Sequence, residues 1–214
     1  MLSIIIPTKN EASRLPLLLA DLNISKKNIE IIVVDCFSND RSAFITKLAG
    51  GLIFFAKEAN RGKQLNYGAS KAAGEWLLFI HADSRLNKKW SESIEKIIND
   101  QNSKKFAWFF DFRIKNNWIG FKLLEIAVAI RSCFLAKPYG DQGLLISKEL
   151  YLELGGYSPL FIMEDIDLIE RINKKAKLRR IGLPIYINIR RWERVSIIKQ
   201  SIKNAKLRYL WKRG

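Results

Sequence analysis

Short apolar segments alternate with segments of helical periodicity along the first 83 residues of the chain. The apolar segments lie at 2–6, 31–35, 52–55 and 76–80. Continuous apolar runs of this length are typical of strands that are buried on both faces of a sheet. The segments between them predict helices at 15–22, 42–49 and 63–73. This alternation predicts an α/β fold with a mostly parallel sheet.

The second half of the chain is less regular. Helices are predicted at 89–99, 118–135, 149–154 and 164–173, and strands at 106–114 and 183–189. No linker or internal repeat separates these segments, so we predict a single domain over 1–194. From 195 to 214, apolar residues at three- and four-residue spacing lie among lysines and arginines, which predicts a basic amphipathic helix. The alternative is a helix that packs on the core or on a second subunit.

Polar residues follow three of the predicted strands. Ligands of open α/β sheets bind beyond the carboxyl ends of the strands, so these residues are candidates for a binding site. They are Pro7, Thr8, Lys9, Asn10 and Glu11 after the first strand, Asp35 and Ser38 after the second, and Ala82 and Asp83 after the fourth. A structural alternative stays open, in which Ser13 and Ser38 cap helices and Asp35 ends its strand.

Five segments carry a resemblance to a known family. They lie, in order, at 3–11, 33–42, 60–69, 78–84 and 163–168. Together they resemble the motifs of glycosyltransferase family 2. The sequences at 81–83, 138–143, 163–165 and 190–194 resemble one subgroup, the radical-SAM/selenodomain-associated transferases 2, some members of which are linked to arsenosugar biosynthesis.

The resemblance implies a Rossmann-like GT-A fold with a nucleotide-binding half at 1–86 and an acceptor half at 87–194. It also implies inverting transfer of a sugar from a UDP- or GDP-linked donor. Asp165 is then the base that takes the proton from the acceptor hydroxyl. Asp83 contacts a Mg²⁺ or Mn²⁺ ion that neutralises the diphosphate. Glu11 and Asp35 are candidate nucleoside contacts.

Other polar residues are candidate ligands on weaker grounds. Arg61, Lys63 and Gln64 begin a predicted helix, where backbone N–H groups also favour anions, so they are candidates for the diphosphate; the alternative is a solvated helix terminus. The acceptor-side candidates are Asp141, Gln142, Glu164, Arg191 and Trp192. Asp141 and Gln142 lie in a glycine-bounded loop that precedes a predicted strand, and for these two residues the alternative is a polar turn. The full Gln-x-x-Arg-Trp run of processive members is missing, so we expect one sugar per acceptor.

Two departures from the family pattern affect these expectations. His81, the only histidine, stands at the first acidic position of the metal motif, and a lone histidine at a strand end is more often structural. Cys36 and Phe37 replace the usual small residues after Asp35. Phe37 could crowd the pocket for the nucleotide base, so the identity of the nucleotide in the donor is in doubt. The alternating aromatics Phe106, Trp108, Phe110 and Phe112 predict core packing, with stacking on the sugar or acceptor as the alternative for one of them.

The chain has a net charge of +16, and nine basic residues against one acidic residue lie within 187–214. This favours a phosphate-bearing partner, and we expect an anionic membrane surface on the cytoplasmic side rather than nucleic acid. Two cysteines without CxxC spacing fit a reducing compartment. Three alternatives remain: a nucleotidyltransferase, although no glycine-rich loop follows the first strand; a basic nucleic-acid-binding module; and a non-catalytic relative.

Overall fold

The computed structural model describes residues 1–23, 28–189, 206–207 and 211 of the 214-residue chain. Eight strands form one mixed sheet in the order β3-β2-β1-β4-β7-β6-β8-β5. Neighbouring strands from β3 to β4 run parallel, as do β6 and β8, whereas β7 is antiparallel to both of its neighbours and β5 is antiparallel to β8. The strands are β1 Leu2–Thr8, β2 Ile29–Asp35, β3 Leu52–Phe55, β4 Trp76–Phe79, β5 Arg85–Leu86, β6 Phe106–Arg113, β7 Leu144–Ser147 and β8 Lys177–Tyr186. The predicted mixed, mostly parallel sheet is confirmed.

Seven α-helices are described. They are α1 Leu15–Leu22, α2 Ser42–Leu48, α3 Arg61–Lys71, α4 Trp90–Asn99, α5 Ile119–Phe134, α6 Lys148–Glu153 and α7 Glu164–Lys175, with short 3₁₀ turns at Gln101–Lys105 and Gly140–Gln142. Pro16 lies in the first turn of α1, where its missing N–H costs nothing. The Asn60 side chain caps α3 by accepting a hydrogen bond from the Lys63 amide, and this cap starts the helix two residues before the predicted position.

The core lies on both faces of the sheet because the central strand β1 is apolar on both. Ile4 and Ile6 pack on one face of the sheet in a cluster with residues of α1 and α4. Ile5 packs on the other face in a cluster with residues of α3 and α7. This division follows from the alternation of side chains along a strand. Helix α3 lies very close to the sheet at Gly68, where a Cβ atom would be only 2.6 Å from Ile5 Cγ2. This close approach holds α3 against β1 and β2, and Gln64 in the first turns of α3 bonds to the backbone oxygens of Thr8 and Val34 near the ends of these strands.

Two strands differ from the expectation. β8 begins at Lys177 and ends at Tyr186, whereas the sequence predicted 183–189. Three of its first four side chains, Lys177, Arg179 and Arg180, are charged and exposed, so its pairing with β6, and not an apolar pattern, defines it. β5 has only two residues and gives no sequence signal.

Of the four β6 aromatics predicted to pack in the core, Phe106, Phe110 and Phe112 are buried, and Trp108 is partly buried against the core. Within the described ranges, no helix combines the length and the hydropathy that crossing a bilayer requires. The predicted basic helix at 195–214 lies outside the described residues, apart from 206–207 and 211.

Candidate active site

A cleft of about 230 Å³ opens at the carboxyl ends of β1 and β4. Nine of the predicted site residues line it: Pro7, Thr8, Lys9, Glu11, Arg61, Gln64, Ala82, Asp83 and Asp141. The remaining lining residues are His81, Phe112, Ile187 and Asn188. The topology thus brings together residues that are far apart in the sequence, as expected for strand ends that share one edge of a sheet.

Asp35 lies behind the cleft, where its carboxylate joins the ends of β1 and β2. Its Oδ2 accepts hydrogen bonds from Thr8 Oγ1 at 3.0 Å and Ser38 Oγ at 2.5 Å, and its Oδ1 accepts one from the Ser38 amide at 3.0 Å. The residue is only 2% exposed. Its carboxylate therefore fixes the geometry of the rim, and a direct contact with a nucleoside stays a prediction.

The loop after β1 is tied to the loop after β2 by side chains that bond to backbone groups. The Asn10 amide donates to Ser38 Oγ at 2.8 Å, and Asn10 Oδ1 accepts from the Asn39 amide at 2.9 Å. Asn10 has a φ of 55°, in the left-handed region that asparagine tolerates better than most residues. The Glu11 amide donates to Ser42 Oγ at 3.0 Å. These hydrogen bonds hold the loop after β1 in place, with Glu11 at the edge of the cleft.

The three candidates for the diphosphate have different surroundings. Gln64 lines the cleft, but its amide nitrogen donates to the backbone oxygens of Thr8 at 3.1 Å and Val34 at 2.8 Å. Both of its donor hydrogens are therefore used to join α3 to the sheet, which corrects the expectation that they reach a ligand. Lys63 forms an ion pair with Glu58 on the surface, away from the cleft lining. Arg61 lies in the cleft.

Arg61 also forms an ion pair with Glu164, the first residue of α7. Glu164 is 1% exposed, so it is an internal partner of the guanidinium and not an accessible acceptor-side group. Burial by itself lowers the pKa of Arg61, but the neighbouring carboxylates of Glu164 and Asp165 outweigh it and raise the pKa above its ordinary value. Arg61 therefore stays cationic, with one side in the cleft and the other on the buried carboxylate.

Asp165 lies in a smaller pocket that shares Arg61 and His81 with the cleft. Its Oδ2 accepts a hydrogen bond from the Gly140 amide at 2.8 Å, and its Oδ1 accepts one from the Ile166 amide at 2.9 Å. It stands in the first turn of α7, where the helix dipole favours negative charge. Asp165 is therefore held in one orientation next to the cleft.

His81 lies where the cleft and the smaller pocket meet. A Cβ atom at Gly140 would be 3.3 Å from His81 Nε2 and 3.2 Å from Asp165 Oδ2, so both side chains adjoin the same glycine. A larger residue at this position would press on both. The only histidine of the chain is thus part of the candidate site, beyond the structural role that its sequence position favours.

Asp141 and Gln142 are adjacent in sequence but separate in space. Asp141 lines the cleft, whereas Gln142 is 1% exposed and absent from the lining. Gln142 Oε1 accepts hydrogen bonds from Ser132 Oγ at 2.6 Å and Arg131 Nη2 at 3.1 Å, and its amide donates to the Phe110 oxygen at 3.1 Å. Gln142 therefore holds the loop against α5 and β6, which corrects its assignment to the acceptor side.

The donor set of the cleft bears on metal binding. Glu11, Asp83 and Asp141 supply carboxylates, and oxygen ligands suit Mg²⁺ and Mn²⁺. Among the residues that the structure describes, no three His, Cys, Asp or Glu side chains are grouped to hold a metal ion. The cleft therefore fits an ion that takes one or two protein carboxylates and completes its coordination from other oxygen ligands, and it does not fit an all-protein site.

Some lining residues were not identified from the sequence. Ile187 and Asn188 follow β8, and the Ile187 amide donates to the Arg113 oxygen at the end of β6. Only the parallel pairing of β6 and β8 brings them to the cleft. Phe112 is one of the four aromatics for which the sequence predicts core packing, with stacking on the sugar or acceptor as the alternative for one of them, and it lines the cleft. Arg191 and Trp192, the remaining acceptor-side candidates, lie outside the described residues.

Three known proteins illustrate the relationships of the chain. An uncharacterized glycosyltransferase of Haemophilus influenzae is 27% identical over 181 residues, which cover 80% of this chain and 62% of the relative. The crystal structure of S. aureus TarS 1-349 superposes with a TM-score of 0.71 at 19% identity, covering 87% of this chain and 60% of TarS 1-349. It has also been solved with UDP-GlcNAc.

The mannosyltransferase PcManGT of Pyrobaculum calidifontis, solved with GDP-Man and Mn²⁺, superposes with a TM-score of 0.63 at 16% identity, covering 86% of this chain and 56% of that protein. The chain thus spans less than two thirds of the length of each of these three proteins. The structural likenesses establish the GT-A fold. Residues 3–143 match the family described as Glycosyl transferase family 2, and the chain therefore belongs to glycosyltransferase family 2.

Proposed function

We propose that the chain transfers a single sugar, with inversion, from a UDP- or GDP-linked donor to an acceptor hydroxyl. The observation that carries this proposal is the cleft at the ends of β1 and β4, which joins the cation Arg61 and the carboxylates of Asp83 and Asp141 to the pocket of Asp165. The solved relatives hold UDP-GlcNAc or GDP-Man in the same fold. These donors agree with a cleft that offers both a cation and oxygen ligands.

The donor occupies the cleft with its diphosphate near Arg61 and Asp83. A bound Mg²⁺ or Mn²⁺ ion, held by Asp83, would neutralise charge on the departing diphosphate. Arg61 adds positive charge from the protein itself, and Glu164 holds it in place. The nucleoside lies along the loop from Pro7 to Glu11, whose shape the bonds of Asn10, Asp35 and Ser38 maintain.

Asp165 serves as the base. The acceptor oxygen forms a bond with the anomeric carbon, the bond from that carbon to the phosphate oxygen breaks, and its electron pair leaves with the diphosphate. The acceptor proton passes to Asp165, whose orientation is set by the Gly140 and Ile166 amides. Because the attacking and departing oxygens lie on opposite sides of the carbon, this direct displacement inverts the configuration.

The two halves of the chain have different roles in the proposed reaction. Residues 1–86 supply most of the cleft and bind the nucleotide, and residues 87–194 supply Asp141, Asp165 and the acceptor side. The basic segment at 195–214 binds an anionic membrane surface on the cytoplasmic side.

A panel of nucleotide sugars tests the proposed donor class. Thermal unfolding is recorded with UDP- and GDP-linked sugars, with and without Mn²⁺. A specific donor at a hundred-fold excess over its Kd stabilises the folded state by about 2.7 kcal/mol, and the rise should require the metal. If no nucleotide sugar raises Tm above the value with the free sugar, the donor-binding proposal is wrong.

A further inference from the structure

Helix α5 has one buried face and one exposed apolar face. The buried face carries Phe121, Glu125, Val128 and Ser132. The opposite side, which we call the outer face, carries five large apolar residues that are between 51% and 82% exposed: Ile119, Leu123, Ile126, Ile130 and Phe134. Their spacing of three and four residues places them on one side of the helix. A contiguous apolar stripe, unlike single exposed residues, marks an interaction surface.

The charges around the outer face are basic. Segment 114–140 contains four lysines and arginines, at 115, 122, 131 and 137, and one acidic residue, Glu125. The Arg131 guanidinium, on the flank of the helix, also donates hydrogen bonds inward to Gln142 Oε1 and the Lys137 oxygen. Glu125 is 5% exposed and lies 3.7 Å from both Arg113 Nη1 and Lys122 Nζ, so it presents little negative charge to solvent. Trp118, 56% exposed, directly precedes the helix. Basic flanks, an apolar face and a tryptophan at the end are typical of helices that lie in a membrane interface.

We propose that the outer face of α5 binds an anionic phospholipid surface, with the helix axis in the plane of the headgroups. Charge selects this partner over a second copy of the chain. Two copies with a net charge of +16 each would bring the same basic flanks together and repel each other. An anionic lipid surface attracts those flanks and receives the apolar residues.

The buried face of α5 connects this surface to the cleft. Phe121 and Val128 pack in one cluster with Phe112 and against Ile187, and both Phe112 and Ile187 line the cleft. Only the thickness of one helix, about 10 Å, therefore separates the outer face from a wall of the cleft. If the proposed transferase function holds, this arrangement brings the cleft to acceptors that are anchored in a membrane.

Vesicle binding tests the proposal on the full chain. The bound fraction is measured with vesicles of phosphatidylglycerol and phosphatidylcholine, and with phosphatidylcholine alone, for the wild type and for L123E/I130E. The matched control is L48E/L152E, which adds the same charges at leucines that are 77% and 63% exposed on α2 and α6. We expect L123E/I130E to bind anionic vesicles at least about tenfold more weakly, because two apolar side chains leave the lipid. The control should bind like the wild type.

Cys133 provides a second readout in the native sequence. It is exposed and lies three residues after Ile130, whereas Cys36 is buried, so a thiol-reactive environment-sensitive dye labels α5 selectively. Anionic vesicles should shift the emission of this dye to the blue, and L123E/I130E should abolish the shift. Circular dichroism and Tm verify that both double variants are folded.

Three outcomes would overturn the proposal: equal vesicle binding of the two double variants, equal binding of the wild type to both vesicle types, or a dye that senses no change. Sedimentation that shows a wild-type dimer and an L123E/I130E monomer, with vesicle binding unchanged, would instead assign the outer face to contact between copies. Because binding is measured without donor or acceptor, the result is independent of whether the proposed transferase reaction is correct.

Discussion

The ion pair between Arg61 and Glu164 should respond asymmetrically to the loss of either partner. Glu164 is 1% exposed, whereas the Arg61 side chain is 36% exposed and touches the cleft. Replacing Arg61 with alanine leaves a buried carboxylate without its charge partner, which typically costs 3–5 kcal/mol. Because water can reach part of this site, we expect the lower end, about 3 kcal/mol. Replacing Glu164 with glutamine leaves a guanidinium that water partly reaches and an acceptor oxygen in place, so about 1 kcal/mol should be lost.

Urea unfolding at neutral pH measures both losses, and a thermal scan gives an independent check. For a domain of this size, 1 kcal/mol corresponds to about 2–4 °C in Tm, so R61A should unfold about 6–12 °C below the wild type. The double variant R61A/E164Q completes the cycle, and it should be more stable than R61A alone because the uncompensated charge is gone. A loss below about 1 kcal/mol in R61A, or an R61A/E164Q variant less stable than R61A, would refute the view that the buried carboxylate depends on Arg61.

Three further predictions concern the reaction and the pH dependence of stability. D165N should retain donor binding in the thermal assay but lose about 10²–10⁴-fold in transfer rate, because the proton acceptor is gone; near wild-type turnover would exclude Asp165 as the base. D83A should lose the metal-dependent part of donor stabilisation, and wild-type activity that persists in EDTA would contradict a role for Asp83 in holding the ion. Burial raises the pKa of the Tyr151 phenol to about 12. Because this folded-state pKa lies above the unfolded value near 10, the contribution is fully present below pH 10 and is lost as pH rises to 12, by about 1.4 kcal/mol per pH unit. Urea unfolding between pH 9 and 11.5 should therefore show a steeper decline for the wild type than for Y151F, and equal slopes would contradict the raised pKa.

The parts of the fold that could be predicted from the sequence are those whose signal is local. The strands around β1 carry continuous apolar runs because both of their faces are covered, and that pattern needs no knowledge of the neighbours. β8 is different, because exposed charged residues such as Lys177 and Arg179 are compatible with a loop as well as with a strand. Its first half is a strand because it pairs with β6. Pairing between segments that are distant in the sequence cannot be predicted from the sequence of either segment alone.

The candidate site shows the same limit at the level of single side chains. The sequence identified candidate residues at the correct edge of the sheet, and nine of them line the cleft. The sequence alone does not determine the orientation of a side-chain amide. Gln64 lies near the start of α3 and Gln142 lies in a loop, and both are close to the cleft. Each side-chain amide nevertheless forms its hydrogen bonds with groups inside the protein. An unpaired buried polar group is costly, so the needs of nearby backbone oxygens decide the orientation of such amides.

The position of Asp165 depends on segments from three parts of the chain. The Gly140 amide fixes its carboxylate, and the preceding residue, Glu164, is tied to Arg61 on α3. Arg61 in turn lines both the cleft and the pocket of Asp165. A change in the way Arg61 engages a ligand would therefore act on the start of α7, where Asp165 lies. In the proposed reaction, donor binding and placement of the base are therefore linked through the Arg61–Glu164 ion pair, and the cycle of R61A and E164Q measures the coupling energy of this pair in the free protein.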